Sequence, residues 1–132
     1  MENKYLSKII ANDYEGLQMI SACCAGAEVK VEGIKYLQKN KIFLLSLKRS
    51  KVETENKDKK VNSICKFEFV DGVKSKNIKQ GAPEQKLKLF TIDHFKKDEK
   101  FEITLIFDNN AYITLSTEII EVTLDDLYKI DQ

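Results

Sequence analysis

Of the residue types that carry catalysis or bind transition metals, this sequence offers one histidine, three cysteines and a scatter of serines. His94 follows Asp93, and an Asp-His pair is the raw material of a general base. Adjacent side chains on a strand or loop point in different directions, so the two need not meet. A lone histidine in the charged stretch 93–100 is expected to face solvent. Cys23 and Cys24 are adjacent, whereas zinc ligands are usually separated by at least two residues. With Cys65 they make an odd number, unlike an extracellular disulfide framework. They read as buried free thiols. A nucleophilic role would need a cation nearby to lower the thiol pKa, and none lies close in sequence. Ser21, Ser46 and Ser63 sit in no Gly-x-Ser-x-Gly setting, and no Gly-x-Gly loop is present to cradle phosphate. No catalytic residue, metal site or cofactor is expected.

Two charged groups remain. Glu118, Glu121, Asp125 and Asp126 could draw a hard cation, but their spacing fits no calcium loop. They read instead as a solubilising edge and a helix N-terminus. The basic group carries the one functional option with content. Lys35, Lys39, Lys41, Lys48, Arg49 and Lys51 fall near one hairpin, with Tyr36 and Phe43 interleaved. Cations plus aromatics on a sheet can track a phosphate backbone and stack bases, so this set is the candidate contact for single-stranded nucleic acid. Against it stand the single arginine, the nearby Glu53 and Glu55, and the ordinary use of edge lysines to block aggregation.

Such residues need elements to hold them. The chain has 132 residues, 42% hydrophobic and 33% charged, enough for one core and a charged surface, and it reads as a single domain over 1–132. Net charge is +1, but residues 1–34 carry −2, residues 35–100 carry +9 and residues 101–132 carry −6. No stretch approaches the roughly 20 apolar residues of a spanning helix, and residues 1–10 lack a signal-peptide core. The expected location is the cytoplasm, with no membrane partner.

The strongest local signal is a helix over about 13–24. Asn12 is the expected N-cap, with Glu15 three residues on. Tyr14, Leu17, Ile20, Ser21 and Cys24 share a face, and Gly26 is the stop. Elsewhere the period is two. Strands are expected at 5–11, around Val29 and Val31, and at 34–38, 41–49, 64–70, 73–78, 86–92, 101–107, 111–116 and 118–123. In the strand at 64–70, Cys65, Phe67 and Phe69 should point inward. Residues 50–62, 79–85 and 93–100 read as polar connections. Asp71-Gly72 reads as a hairpin turn, Asp108-Asn109-Asn110 as another turn, and 124–128 as a closing helical turn. The result is a mainly β (α+β) chain: an antiparallel sandwich or barrel of about nine to ten short strands with one N-terminal helix.

The segments NDYEGLQMISACCAGA (12–27), GIKYLQKNKIFLLSLKR (33–49), 67–78 and ITLIFDNNAYITLSTEIIEVTLDDL (103–127) resemble a bacterial family catalogued as domain of unknown function 2948. The likeness lies in the helix, in the Tyr-Leu, Phe and closing Arg of the second segment, and in the strand pattern after it. It implies the same strand-rich fold and brings no activity, substrate or cofactor. The function expected from the sequence is therefore that of a non-catalytic binding or interaction domain. Its partner would be a protein or a second copy of the chain, with single-stranded nucleic acid bound through the Lys-rich 35–60 region as the alternative.

Overall fold

The computed structural model describes residues 8–50, 60–79 and 81–127. It contains β1 (Lys8–Ala11), α1 (Tyr14–Cys24), β2 (Ala27–Lys30), β3 (Ile34–Leu37), β4 (Ile42–Ser50), β5 (Lys60–Phe67), β6 (Val70–Lys76), β7 (Lys86–Lys97), β8 (Lys100–Phe107), β9 (Tyr112–Thr117) and β10 (Val122–Asp126). The strands form one antiparallel sheet in the order β1-β10-β5-β4-β2-β7-β8-β9-β6, with β3 paired to β4 beside β2. It does not close into a barrel. No helix among the described residues is long and apolar enough to cross a membrane.

Laid flat, nine strands at about 4.8 Å spacing would span roughly 40 Å, and a single helix covers only about 10 Å of that. Yet Phe43, Leu45 and Cys65 on β4 and β5, in one half of the strand order, share one apolar cluster with Ile103, Leu105 and Ile113 on β8 and β9, in the other. The sheet therefore curls so that its halves face each other. Period-two alternation does the sorting: Phe43, Leu45, Leu47 and Arg49 of β4 are buried, while Ser46 and Lys48 are exposed.

Helix α1 fills a gap in the curl, packed against β7 and β1. Its N-cap is Asp13, not Asn12: the Asp13 carboxylate accepts from the Gly16 amide at 2.8 Å. At the other end Gly26 takes φ +83 and donates to the Leu89 carbonyl. β2 pairs with β7 only as far as Leu89. Beyond that point the Ser21 hydroxyl accepts from the Ile92 amide at 2.9 Å, so the helix satisfies an edge that would otherwise lie open.

Several further expectations are corrected. Asp71-Gly72 is not a hairpin turn. The chain turns at Glu68-Phe69, where Phe69 takes φ 61 and stands 39% exposed instead of pointing inward. Asp71-Gly72 lies at a register shift where β6 meets β9. β5 pairs instead with β4 and β10. The connection at 93–100 is mostly strand, because β7 runs on to Lys97 and turns at Asp98 (φ 59). Residues 122–126 are strand where a helical turn was expected to begin at 124. The polar loop at 50–62 is shorter at its far end, since β5 starts at Lys60. Residues 5–7, 51–59, 80 and 128 of the expected elements lie outside the described residues.

Candidate functional site

The sheet fails to close between β3 and β6, and that seam is the candidate site. β3 is held short by its flanks. Before it, the chain makes a tight turn at Val31–Gly33. Gly33 there lies so close to β4 that a Cβ would come within 3.1 Å of the Ser46 Cβ. After it, a second turn ends at Lys41 with φ 58. β6 is the last strand of the other half and pairs only with β9. Among the described residues, one edge of β3 and one edge of β6 thus have no strand beside them.

Between those edges lies a cavity of about 310 Å³. Ile34 and Tyr36 of β3, Phe43 of β4, Val73 of β6, Ile113 of β9 and Ile78 line it. Both ends are tied. At one, the Tyr36 hydroxyl donates to the Val70 carbonyl at 3.0 Å, and the Val70 amide donates to the Lys41 carbonyl at 2.9 Å. Asp71 adds ion pairs to Lys100 at 3.1 Å and Lys41 at 3.3 Å. The hydrogen bond from Lys100, helped by Lys41 and opposed by partial burial, holds the Asp71 carboxyl below its usual range. At the other end the Val31 and Glu32 amides donate to the Gln85 and Pro83 carbonyls.

The register sorts the flanking side chains. Ile34 and Tyr36 sit opposite the buried Leu45 and Phe43, so they point inward, and Lys35 points outward. Val73 and Ser75 sit opposite the buried Leu115 and Ile113, and Lys74 and Lys76 point outward. The seam is mostly apolar within, with Ser75 and, at the Pro83 end, Glu32 as its polar lining, and its outer face carries Lys35, Lys74 and Lys76.

The basic set from the sequence is divided by this arrangement. Lys35, Lys39 and Lys48 are exposed. Lys41 is engaged with Asp71, and Lys51 lies outside the described residues. Tyr36 is half-buried at the seam. Phe43 is 1% exposed and packs edge-on against Phe67 at 6.0 Å, so it offers no stacking face. Arg49 is withdrawn from the surface set: it is 1% exposed, because on β4 it shares the inward face with Leu47 while Lys48 faces out.

Arg49 instead meets Asp126, a residue read from sequence as part of a solvated acidic edge. Its Nε donates to one carboxylate oxygen at 3.1 Å and its Nη2 to the other at 3.0 Å. The Ser63 hydroxyl donates to Asp126 at 2.6 Å. This is a buried, two-pronged Arg-carboxylate pair that fastens β10 to β4 across β5. Ser63 also borders a second, mixed-charge groove of about 350 Å³ lined by Glu28, Lys30, Glu32 and Lys48.

The remaining chemical candidates scatter. The Asp93 carboxylate accepts from the His94 backbone amide, not from its ring. The His94 ring is half-buried, stacked on Tyr14 at 4.4 Å, where solvent exposure was expected. Cys23, Cys24 and Cys65 are buried and form no disulfide. A hydrogen bond with Cys24, together with burial, pushes the Cys65 thiol well above its ordinary pKa. Among the described residues no three His, Cys, Asp or Glu side chains gather for a metal ion.

A family model described as "Protein of unknown function (DUF2948)" matches residues 7–131. The chain belongs to that family. The match takes in α1 and all ten strands, so the seam is part of the DUF2948 domain. No curated protein and no solved structure matches the chain.

Sequence reasoning missed the seam because it depends on which distant strands become neighbours. It also missed Arg49–Asp126, although one signal was present. Extending the β4 alternation from Phe43 by steps of two lands on Arg49.

Proposed function

We propose that this chain is a non-catalytic binding domain of the bacterial cytoplasm, folded as one unit, that holds its partner in the seam between β3 and β6. The observation that carries the reading is the mostly apolar cavity flanked by two strand edges that have no strand beside them among the described residues. Concave apolar sites with a few polar groups at the rim are the usual form of a binding pocket. The partner of a site built this way is a protein segment or a second copy of the chain.

The test is an apolar probe. An anilinonaphthalene sulfonate dye is titrated into isotope-labelled protein and followed by NMR. Saturable binding is expected, with shifts gathered at Ile34, Tyr36, Val73 and Ile113, and lost in Val73→Trp, whose indole fills the cavity. Binding elsewhere, or none, ends this reading. Single-stranded nucleic acid is the second reading, supported by Lys35 and Lys48 standing exposed on the outer face of neighbouring strands. Filter binding of an oligonucleotide across a salt series decides it: no retention at low salt removes it.

A further inference from the structure

From the register on either side of the seam, we infer that the partner is an extended acidic peptide segment that adds as a strand along β6. Its apolar side chains enter the cavity at every second position, and its carboxylates face Lys35, Lys74 and Lys76. The inference rests on the seam being a binding site and names what enters it.

Three observations converge. β6 runs from Val70 to Lys76 with β9 on one side and no strand on the other among the described residues. Such an edge presents backbone donors and acceptors in a row, the template for strand addition. Directly paired strands lie about 4.8 Å apart. β3 and β6 meet instead at Val70, whose carbonyl accepts from the Tyr36 hydroxyl at 3.0 Å and whose amide donates to the Lys41 carbonyl, so the edge from Gly72 to Lys76 is not spent on β3.

The second observation is the cavity, which lies below this edge and takes apolar groups from Val73, Ile78 and Ile113. A strand added to β6 alternates in and out as β6 does. Its inward residues reach the cavity, and its outward residues lie beside the outward residues of β6.

The third is charge. Those outward residues are Lys74 and Lys76, with Lys35 on the facing strand, and all three are exposed. Lys79, just past β6, adds a fourth cation. Of the two acids at the seam, Asp71 at one end is already held by Lys41 and Lys100, and Glu32 lies at the opposite end, beside Pro83 and away from Lys74 and Lys76. Opposite charges side by side on neighbouring strands stabilise pairing and like charges oppose it, so the outer face selects carboxylates.

The experiment uses the full chain and a synthetic peptide alternating Glu with Val or Ile. Isothermal titration gives the affinity, and NMR gives the site. Binding is expected to weaken with salt, with amide shifts along β6 and methyl shifts at Val73, Ile78 and Ile113. Lys74→Glu with Lys76→Glu, both on exposed side chains that leave the core intact, is expected to weaken it about tenfold. The same peptide with Lys in place of Glu should bind at least that much more weakly. The inference is overturned if the acidic peptide does not bind, if the Lys peptide binds equally, or if a single-stranded oligonucleotide displaces it and binds the seam more tightly. Dye binding in the cavity without peptide binding overturns the inference and leaves the seam itself standing as a site.

Discussion

Asp126 is the residue whose replacement should be felt most. Its carboxylate accepts both prongs of Arg49 and the Ser63 hydroxyl, all in the interior. Removing one partner of a buried pair leaves the other desolvated and poorly compensated, at a cost of about 3–5 kcal/mol. Asp126→Ala should lower the urea midpoint accordingly, while the joint change Arg49→Met and Asp126→Leu should restore much of it; equal losses in both would show that the pair is not the cause. Asp71 gives the contrasting surface case. Its folded carboxyl titrates below the ordinary value of about 3.9, so its ion pairs contribute above that value and fade as pH falls through the lower folded one. The side chain is a fifth exposed, so screening limits the contribution to under about 1 kcal/mol. Asp71→Asn should therefore cost a little stability at neutral pH, less in high salt, and progressively less as pH is lowered into the acid range, as read by denaturation at each condition. Asp126 was legible in sequence only as a charge, and Asp71 only as a turn residue. What the pattern omits is the partner: Arg49 and Asp126 are 77 positions apart, and no local spacing joins them.

At the scale of elements, the helix was legible to within a residue, but its cap was not. Asn12 and Asp13 are both good caps by type, and the one chosen is the one whose carboxylate reaches the Gly16 amide. Replacing Asp13 by Ala should cost about 1 kcal/mol, and replacing Asn12 by Ala much less. Thermal melts of the two variants distinguish them, and equal effects would return the cap to a shared role. The strands at 101–107 and 111–116, with the asparagine turn between them, were legible because alternation and turn chemistry agree there. Asn109 and Asn110 both take positive φ. Asp71-Gly72 misled for the opposite reason. A hairpin requires its flanking strands to pair with each other, yet β5 takes β4 and β10 while β6 takes β9. The chain therefore crosses between sheet halves, and strong hairpin chemistry is left to accommodate a bulge. The acidic 125–126 pair misled likewise: two aspartates resemble a helix start, but Val122, Leu124 and Asp126 all face inward on a strand.

At the scale of the molecule, the sheet is a curl stopped short of closure, and that sets where it should open. The central strands β4, β5 and β8 have a strand on each side. Along the seam, the ties found between the halves are the Tyr36–Val70 hydrogen bond, the Val70–Lys41 backbone bond and the Asp71–Lys41 ion pair at one end, and the Val31 and Glu32 amides on the Gln85 and Pro83 carbonyls at the other. Local opening follows the regions with the fewest buried contacts and the least paired backbone. Amides of β3 and β6 should thus exchange with deuterium well before those of β4 and β8. Tyr36→Phe keeps the ring in the cavity and removes only the hydroxyl, a loss of about 1 kcal/mol. Exchange along β6 should then quicken several-fold while β8 keeps its rate, because β8 is paired on both sides whether or not the seam is tied. If β6 and β8 quicken together, the seam does not open by itself and Tyr36 acts on global stability. If only β6 responds, the edge that the acidic segment is inferred to join is the edge the fold already leaves loosest, and occupation by that segment should slow the same amides again.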